Sequence, residues 1–251
     1  MERSSHMGMN RTGIDMAPVQ SKAMLRNVEA GGVAPGQPSA LASLQRRFID
    51  EAEALGSVPT PGTLKGAAGA VMQKAQGHNL ELLVNKLGER LAFERSGVRL
   101  YERMIVKCET LQQGQADALV KVDQLRHFRQ EEMDHFRMVR QVLETLGADP
   151  TAQTPDADVS GVAVMGQLQV ITDPRTSLLQ CLQALQAVEL IDGAGWQLLE
   201  ELTQGMGLSE AADRFRTALA QEAEHTRQVT EWCRQLVMFE AGLGRRHKVT
   251  H

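Results

Sequence analysis

Two short segments, EEMDHFR at residues 131–137 and QEAEHTR at residues 221–227, decide how this chain is expected to fold. Each contains a glutamate followed three residues later by a histidine, and these pairs are Glu132 with His135 and Glu222 with His225. Residues three apart lie on the same face of an α-helix. Each pair therefore presents a carboxylate and an imidazole to one point, within a stretch where apolar residues recur at helical spacing.

Two further glutamates lie in the apolar stripes of other helical segments. Glu94 is followed seven residues later by Tyr101, and Glu189 is followed seven residues later by Trp196, so the chain repeats weakly. Each polar group lies roughly 15 to 20 residues from its hairpin turn, and antiparallel packing at ~1.5 Å per residue brings them all to one level. The pattern predicts one polar layer inside a helical bundle.

Four long amphipathic segments are predicted, at about Leu80–Glu109, Gln115–Leu146, Pro174–Gly205 and Ser209–Glu240. Asp173 is expected to cap the third segment, with Pro174 at its first helical position, and Ser209 is expected to cap the fourth. A crossover of roughly 25 residues, polar at first and then apolar, separates two helical hairpins, a connectivity typical of some four-helix bundles.

The predicted organisation has four parts. They are a flexible N-terminal arm at residues 1–38, accessory short helices at 39–78, the four-helix bundle at 79–241 and a basic tail at 242–251. Within the accessory part, Ser39 is expected to cap one short helix and Thr63 to begin another, which covers residues 64–76. The fold class is therefore all-α, with an N-terminal helical extension to the bundle.

Composition limits the classes of function. The net charge of −4 offers no electrostatic basis for binding nucleic acid. The three cysteines are far apart and form no CxxC pair, so no local zinc ribbon or rubredoxin-type site is expected. No apolar run approaches the ~20 residues of a membrane span, and no secretory leader is evident. We expect a cytoplasmic protein, with a homodimer as the default assembly.

Four glutamates on inward-facing stripes cannot all stay ionised in an apolar interior without a large free-energy penalty. Two protonated histidines would neutralise half of that charge, whereas two divalent cations would neutralise all of it. The pattern therefore favours a metal site. The alternative is that these residues are surface charges or a buried network of ion pairs without metal.

One glutamate from each of two helices, with a Glu-x-x-His pair from each of the other two, resembles the ligand set of ferritin-like di-iron and di-manganese carboxylate proteins. The resemblance covers about residues 79–240, and the first 78 residues have no counterpart in the ferritin core. The chain also looks like bacterial ferritin-like-domain proteins whose role is poorly defined. The resemblance implies that two glutamates bridge two ions, and that each ion has one more glutamate and one histidine. These ligands are Glu132 and Glu222 as bridges, Glu94 with His135 at one ion, and Glu189 with His225 at the other.

Three residues are expected to support the ligands, namely Tyr101, Glu131 and Gln221. Glu131 and Gln221 each precede a proposed bridging glutamate and either reach the histidine of the opposite helix or remain solvated or paired along their own helix. Tyr101 lies two turns from the first-helix glutamate and either hydrogen-bonds a ligand carboxylate or packs with its hydroxyl satisfied elsewhere. Asp192, one turn after the third-helix glutamate, is a less favoured seventh ligand, and His127 is expected at the surface.

Carboxylates with one imidazole per ion suit iron or manganese. The expected cofactors are two metal ions, with iron preferred and manganese or a mixed pair as alternatives. Reduced iron in such a site reacts with dioxygen or peroxide, which predicts ferroxidase-like or peroxidase-like activity in iron or oxidative-stress handling. The alternatives are a di-iron oxygenase acting on an organic substrate and a non-catalytic helical protein that binds metal or a partner. Manganese catalase activity and mineral storage are less favoured.

Overall fold

The computed structural model describes residues 17–31, 38–60, 62, 77–113 and 118–243. Throughout these ranges the regular secondary structure is α-helical and no strand occurs, which confirms the all-α prediction. The helix predicted over residues 64–76 lies outside the described residues, as does most of the basic tail. The described residues divide into two compact units, a smaller one up to Leu55 and a larger one that begins at Gly56.

The part of the smaller unit that the structure describes forms two helices, α1 at Pro18–Ala30 and α2 at Pro38–Glu51. Helix α1 occupies part of the segment for which we predicted no regular structure. Pro18 stands in the first turn of α1, where its missing N–H costs nothing, and no glycine or proline interrupts the rest of this helix. Helix α2 begins one residue before the predicted cap at Ser39.

The described residues of the larger unit form four long helices and two short ones. In chain order they are α3 at Leu80–Leu111, α4 at Val122–Thr145, α5 at Pro155–Ala163, α6 at Met165–Thr172, α7 at Leu178–Gly205 and α8 at Ser209–Glu240. Helix α3 packs on α4 and α7, and α8 packs on α7 and α4, so each long helix contacts two others. None of the described helices combines the length and apolar character that a membrane span requires.

The helix ends differ from the predictions where local hydrogen bonds compete. Helix α7 begins after Ser177, whose hydroxyl accepts from the Gln180 backbone N–H while the Gln180 side chain accepts from the Ser177 N–H. This capping box satisfies two otherwise unpaired donors. Asp173, the predicted cap, instead forms a turn in which its carboxylate accepts from the backbone and the guanidinium of Arg175. Helix α4 likewise begins at Val122, later than predicted.

The crossover between the hairpins is itself partly helical, which the sequence pattern did not predict. Helix α5 begins at the Thr154 cap and packs on α3, where Asp156 pairs with Lys86 at 2.7 Å. Helix α6 packs on α7 and α3, and Lys107 near the end of α3 donates to the carbonyl of Asp173 just after α6. The crossover therefore runs along α3 from its first turns to its last.

The core of the larger unit consists of two apolar clusters. One is built around Tyr101, Leu125, Leu182 and Trp232, and the other around Leu87, Val139, Leu199 and Phe215. On each long helix the predicted metal-ligating residues stand between the stretches that supply these clusters. The four long helices therefore hold a polar layer between two apolar layers.

Replacing Ser177 with alanine is expected to lower the free energy of unfolding by about 1 kcal/mol, because the hydroxyl that caps α7 is lost. Ser209→Ala is the matched control. The residue before Ser209 caps α8 without a side-chain hydrogen bond, so this substitution should change stability by no more than ~0.5 kcal/mol. Denaturant unfolding of both variants measures the difference, and equal losses would contradict the assigned caps.

Candidate metal centre

The six predicted ligands all lie in the polar layer, and none is more than 3% exposed. They are Glu94 on α3, Glu132 and His135 on α4, Glu189 on α7, and Glu222 and His225 on α8. Their donor atoms form two overlapping groups in which all atoms lie within 4.8 Å of one another. The structure therefore brings together residues separated by up to 131 positions of sequence, from Glu94 to His225.

The first group comprises Glu94, His135 and Glu222. The Nδ1 atom of His135 lies 3.6 Å from Oε2 of Glu94 and 2.9 Å from Oε1 of Glu222. Three donor atoms from three helices thus surround one point.

The second group comprises Glu132, Glu189, Glu222 and His225. The Nδ1 atom of His225 lies 3.4 Å from Oε1 of Glu132, 3.5 Å from Oε2 of Glu189 and 3.1 Å from Oε2 of Glu222. Glu222 belongs to both groups and turns one carboxylate oxygen toward each histidine. It is the link between the two halves of the centre.

Glu131 and Gln221 lie against the outer nitrogens of the two histidines. Nε2 of His225 is 2.9 Å from Oε2 of Glu131, and Nε2 of His135 is 2.9 Å from Oε1 of Gln221. The Gln221 amide also donates to Glu131 at 2.7 Å, which turns its oxygen toward His135. In the neutral imidazoles each Nε2 is therefore the N–H donor, and each Nδ1 presents a lone pair to the centre.

Aromatic side chains enclose the centre. The Tyr101 hydroxyl donates to Oε1 of Glu189 at 2.7 Å, the contact to a ligand carboxylate that the sequence predicted as one of two outcomes. The Phe128 ring lies 4.1 Å from the His225 ring, and the Trp196 ring lies 5.3 Å from the His135 ring, measured between centroids. Both rings hold the imidazoles in place and keep water away from them.

The donor atoms that face the centre are buried and lack hydrogen-bond partners. They are Oε2 of Glu94, Glu132 and Glu189, both carboxylate oxygens of Glu222, and Nδ1 of His135 and His225. Buried polar atoms are otherwise satisfied in nearly all proteins, because each one left unpaired costs ~1–3 kcal/mol. Acceptors that converge without donors are the arrangement that a cation completes.

Comparison of the chain with family models, curated proteins and solved structures finds no match. The chemistry of the donor atoms is therefore the basis for a functional interpretation. Carboxylate oxygens with imidazole nitrogen are ligands that divalent ions such as Fe²⁺ and Mn²⁺ accept. The buried cluster can hold a metal ion.

Burial and mutual charge shape the protonation of the centre. Burial raises the pKa of Glu132 well above its usual range, and the neighbouring charge of Glu222 adds to the effect. Burial also acts to raise the pKa of Glu222, but the close approach of the His135 and His225 rings outweighs it and lowers that pKa to about 2. Burial acts to lower the pKa of His135, whereas contacts with Glu222 and Glu94 raise it to about 11. Positive charge at the histidine nitrogens is therefore strongly favoured, whether protons or metal ions supply it.

Two buried charged residues, Arg90 and Asp192, lie directly beside the centre and pair with each other. Arg90 is only 4% exposed and lies 3.2 Å from Oε1 of Glu94, although the sequence analysis gave it no role. Asp192, considered as a seventh ligand, is 1% exposed and pairs with Arg90. The signal for Arg90 was its position one turn before Glu94 on the inward stripe. His127, by contrast, is 62% exposed and stands 3.5 Å from Glu131.

After metal is removed with a chelator, the chain is expected to lose stability as the pH rises. The folded pKa of His135 is about 11 against an ordinary 6.5, so its contribution is fully present below pH 6.5 and is lost as the pH rises through 11. The raised pKa of Glu132 acts in the same direction, because ionisation is costlier in the fold than in the unfolded chain. Thermal melts from neutral to alkaline pH test this. A melting temperature that increases over this range would contradict it.

Proposed function

We propose that this chain holds two metal ions, iron by preference, in a ferritin-like di-metal carboxylate centre and reduces dioxygen or peroxide there. The observation that carries the proposal is the convergence of seven buried, unpaired donor atoms from four helices on one region. The proposed ligands are the six residues named from the sequence, with Glu222 and Glu132 as bridges. The proposed role is ferroxidase-like or peroxidase-like chemistry in the handling of iron or oxidative stress.

The contacts of Glu222 support two ion positions instead of one. Its Oε1 faces the His135 group and its Oε2 faces the His225 group, as expected of a carboxylate shared between two cations. Four ligand carboxylates carry four negative charges, which two divalent ions neutralise. The ferritin-like assignment is supported in the same way by two pairs of packed long helices joined by a crossover that follows α3.

Bound iron would supply the electrons that dioxygen or peroxide accepts. The residues of the chain have other tasks. Glu131 and Gln221 orient the two imidazoles through their Nε2 atoms, and Tyr101 holds one carboxylate oxygen of Glu189. Phe128 and Trp196 cover the imidazoles with apolar surface, which strengthens the electrostatic interactions inside the centre.

Burial of the ligands favours a small oxidant over the organic substrate of an oxygenase. The most exposed of the six, His135, has only 3% of its surface accessible. Dioxygen and hydrogen peroxide can reach such an interior through small fluctuations of packing, whereas an organic substrate needs an open pocket beside the ions. The redox reaction with a small oxidant is therefore the better-supported function.

Glu222→Ala is expected to abolish binding of both ions, because its two oxygens serve both groups. Glu94→Ala should mainly weaken the ion beside His135. Glu224→Ala is the matched control on the same helix, since Glu224 forms an exposed pair with Arg227, and it should leave binding unchanged. Elemental analysis after equilibrium dialysis against Mn²⁺ gives the number bound per chain. Equal, partial losses in the two centre variants would contradict the bridging role.

The proposed reaction is tested with protein that has been stripped of metal and then loaded with Fe²⁺ without oxygen. Addition of dioxygen or peroxide should oxidise the iron faster than it oxidises free Fe²⁺, and Glu222→Ala should remove the acceleration. The Glu224→Ala protein should retain it. The appearance of ferric absorption, followed by stopped flow, measures the rate. Identical oxidation rates in the unmodified chain and in Glu222→Ala would contradict the proposed reaction. The non-catalytic alternative, a protein that only binds metal, would then be favoured.

A further inference from the structure

A third group of carboxylates adjoins the proposed centre. Oxygen atoms of Glu94, Glu132 and Asp192 lie within 4.8 Å of one another, and all three residues are at most 1% exposed. Oε2 of Glu94 and Oε2 of Glu132 have no hydrogen-bond partner. Three carboxylates this close in an apolar interior require a cation for the same reason as the two histidine-containing groups.

The guanidinium of Arg90 supplies positive charge to this group. Its Nη1 lies 3.2 Å from Oε1 of Glu94 and also forms an ion pair with Oδ1 of Asp192. Arginine stays protonated in proteins, so this charge is permanent. One arginine therefore joins α3 to α7 within the polar layer.

The surroundings of Arg90 are shaped to hold a guanidinium. Its Cζ lies 4.7 Å from the centroid of the Phe93 ring and 5.4 Å from the centroid of the Trp196 ring. A Cβ atom at Gly195 would overlap the guanidinium in its observed position, so the glycine provides the space that the guanidinium occupies. Two aromatic faces and one missing side chain thus form a pocket around this cation.

The weak sequence repeat that relates Glu94 to Glu189 shows that the Arg90 pocket has no counterpart in the second half of the repeat. Aligning Glu94 with Glu189 places Leu185 opposite Arg90 and Gly97 opposite Asp192. Neither counterpart carries charge. The arginine and the aspartate are therefore an addition to a repeat that otherwise supplies the same ligands twice.

We propose that Arg90 is a built-in third cation of the centre, which occupies the group formed by Glu94, Glu132 and Asp192 and limits the centre to two metal ions. This inference rests on the proposed function. A guanidinium beside these oxygens repels a further divalent ion and holds Asp192 away from metal ligation. Without that charge, the three carboxylates form an oxygen-rich site that takes a third divalent ion.

The test counts Mn²⁺ bound per chain, by equilibrium dialysis and elemental analysis, in the full-length protein and its variants. Arg90→Met keeps an unbranched apolar stem beside the aromatic rings but removes the guanidinium and its charge, and should bind three ions where the unmodified chain binds two. Arg90→Lys retains a cation and should bind two. The double variant Arg90→Met with Asp192→Asn loses both partners of the pair and should return to two. Helical circular dichroism checks that each variant is folded.

Arg90→Gln serves if the methionine variant does not fold, because its side chain is polar and uncharged. It should also bind three ions. If a folded Arg90→Met or Arg90→Gln variant binds only two ions, the proposed role of Arg90 is wrong, while the proposed two-metal function stands. A loss of one ion in Asp192→Asn would overturn it as well, since Asp192 would then be a ligand in the unmodified chain. Failure of the unmodified chain to bind any Mn²⁺ would overturn both proposals.

Discussion

The need to neutralise buried carboxylates governs this structure. Glu94, Glu132, Glu189 and Glu222 meet in the interior of a helical unit with Asp192 beside them, and water reaches none of them to any extent. The charges of Arg90 and of the two histidine rings are too few to balance five ionised carboxylates, and the pKa values respond accordingly. Burial drives those of Glu132 and Asp192 well upward, while the imidazole contacts hold that of Glu222 low. The polar layer therefore lacks positive charge, and bound metal ions would supply it.

The two apolar clusters fix where this layer lies. On each long helix an apolar stretch precedes the polar residues and another follows them, so the helices cannot slide along one another without burying charge in an apolar cluster or exposing apolar surface. Small residues then allow the polar side chains to approach. Gly97 leaves space for the Glu132 carboxylate, and Gly195 leaves space for the Arg90 guanidinium. The register of the helices therefore determines which side chains meet in the centre, and the small residues determine whether those side chains fit.

Local periodicity was sufficient to predict the helical class and the residues that meet in the polar layer. Spacing of three places Glu132 with His135 and Glu222 with His225 on one helical face whatever the rest of the chain does, and apolar stripes set the inward direction. The pairing of Arg90 with Asp192 could not be predicted in this way. The two residues are 102 positions apart in sequence and lie on different helices, so no local spacing indicates their contact. The start of α7 was misplaced because two capping signals compete within a few residues, and only the structure shows that the capping box at Ser177 prevails.

The contact between Gly195 and Arg90 predicts that substitutions at these two positions are correlated among related sequences. A Cβ atom at position 195 would overlap the Arg90 guanidinium in its observed position, so a larger residue there has to displace the guanidinium from its pair with Asp192. A descendant of this chain that gains even an alanine at position 195 gives up the observed place of the arginine, whereas loss of the arginine alone leaves position 195 free to change. Natural variants are expected to show the two positions changing together, with Asp192 following because its partner is gone.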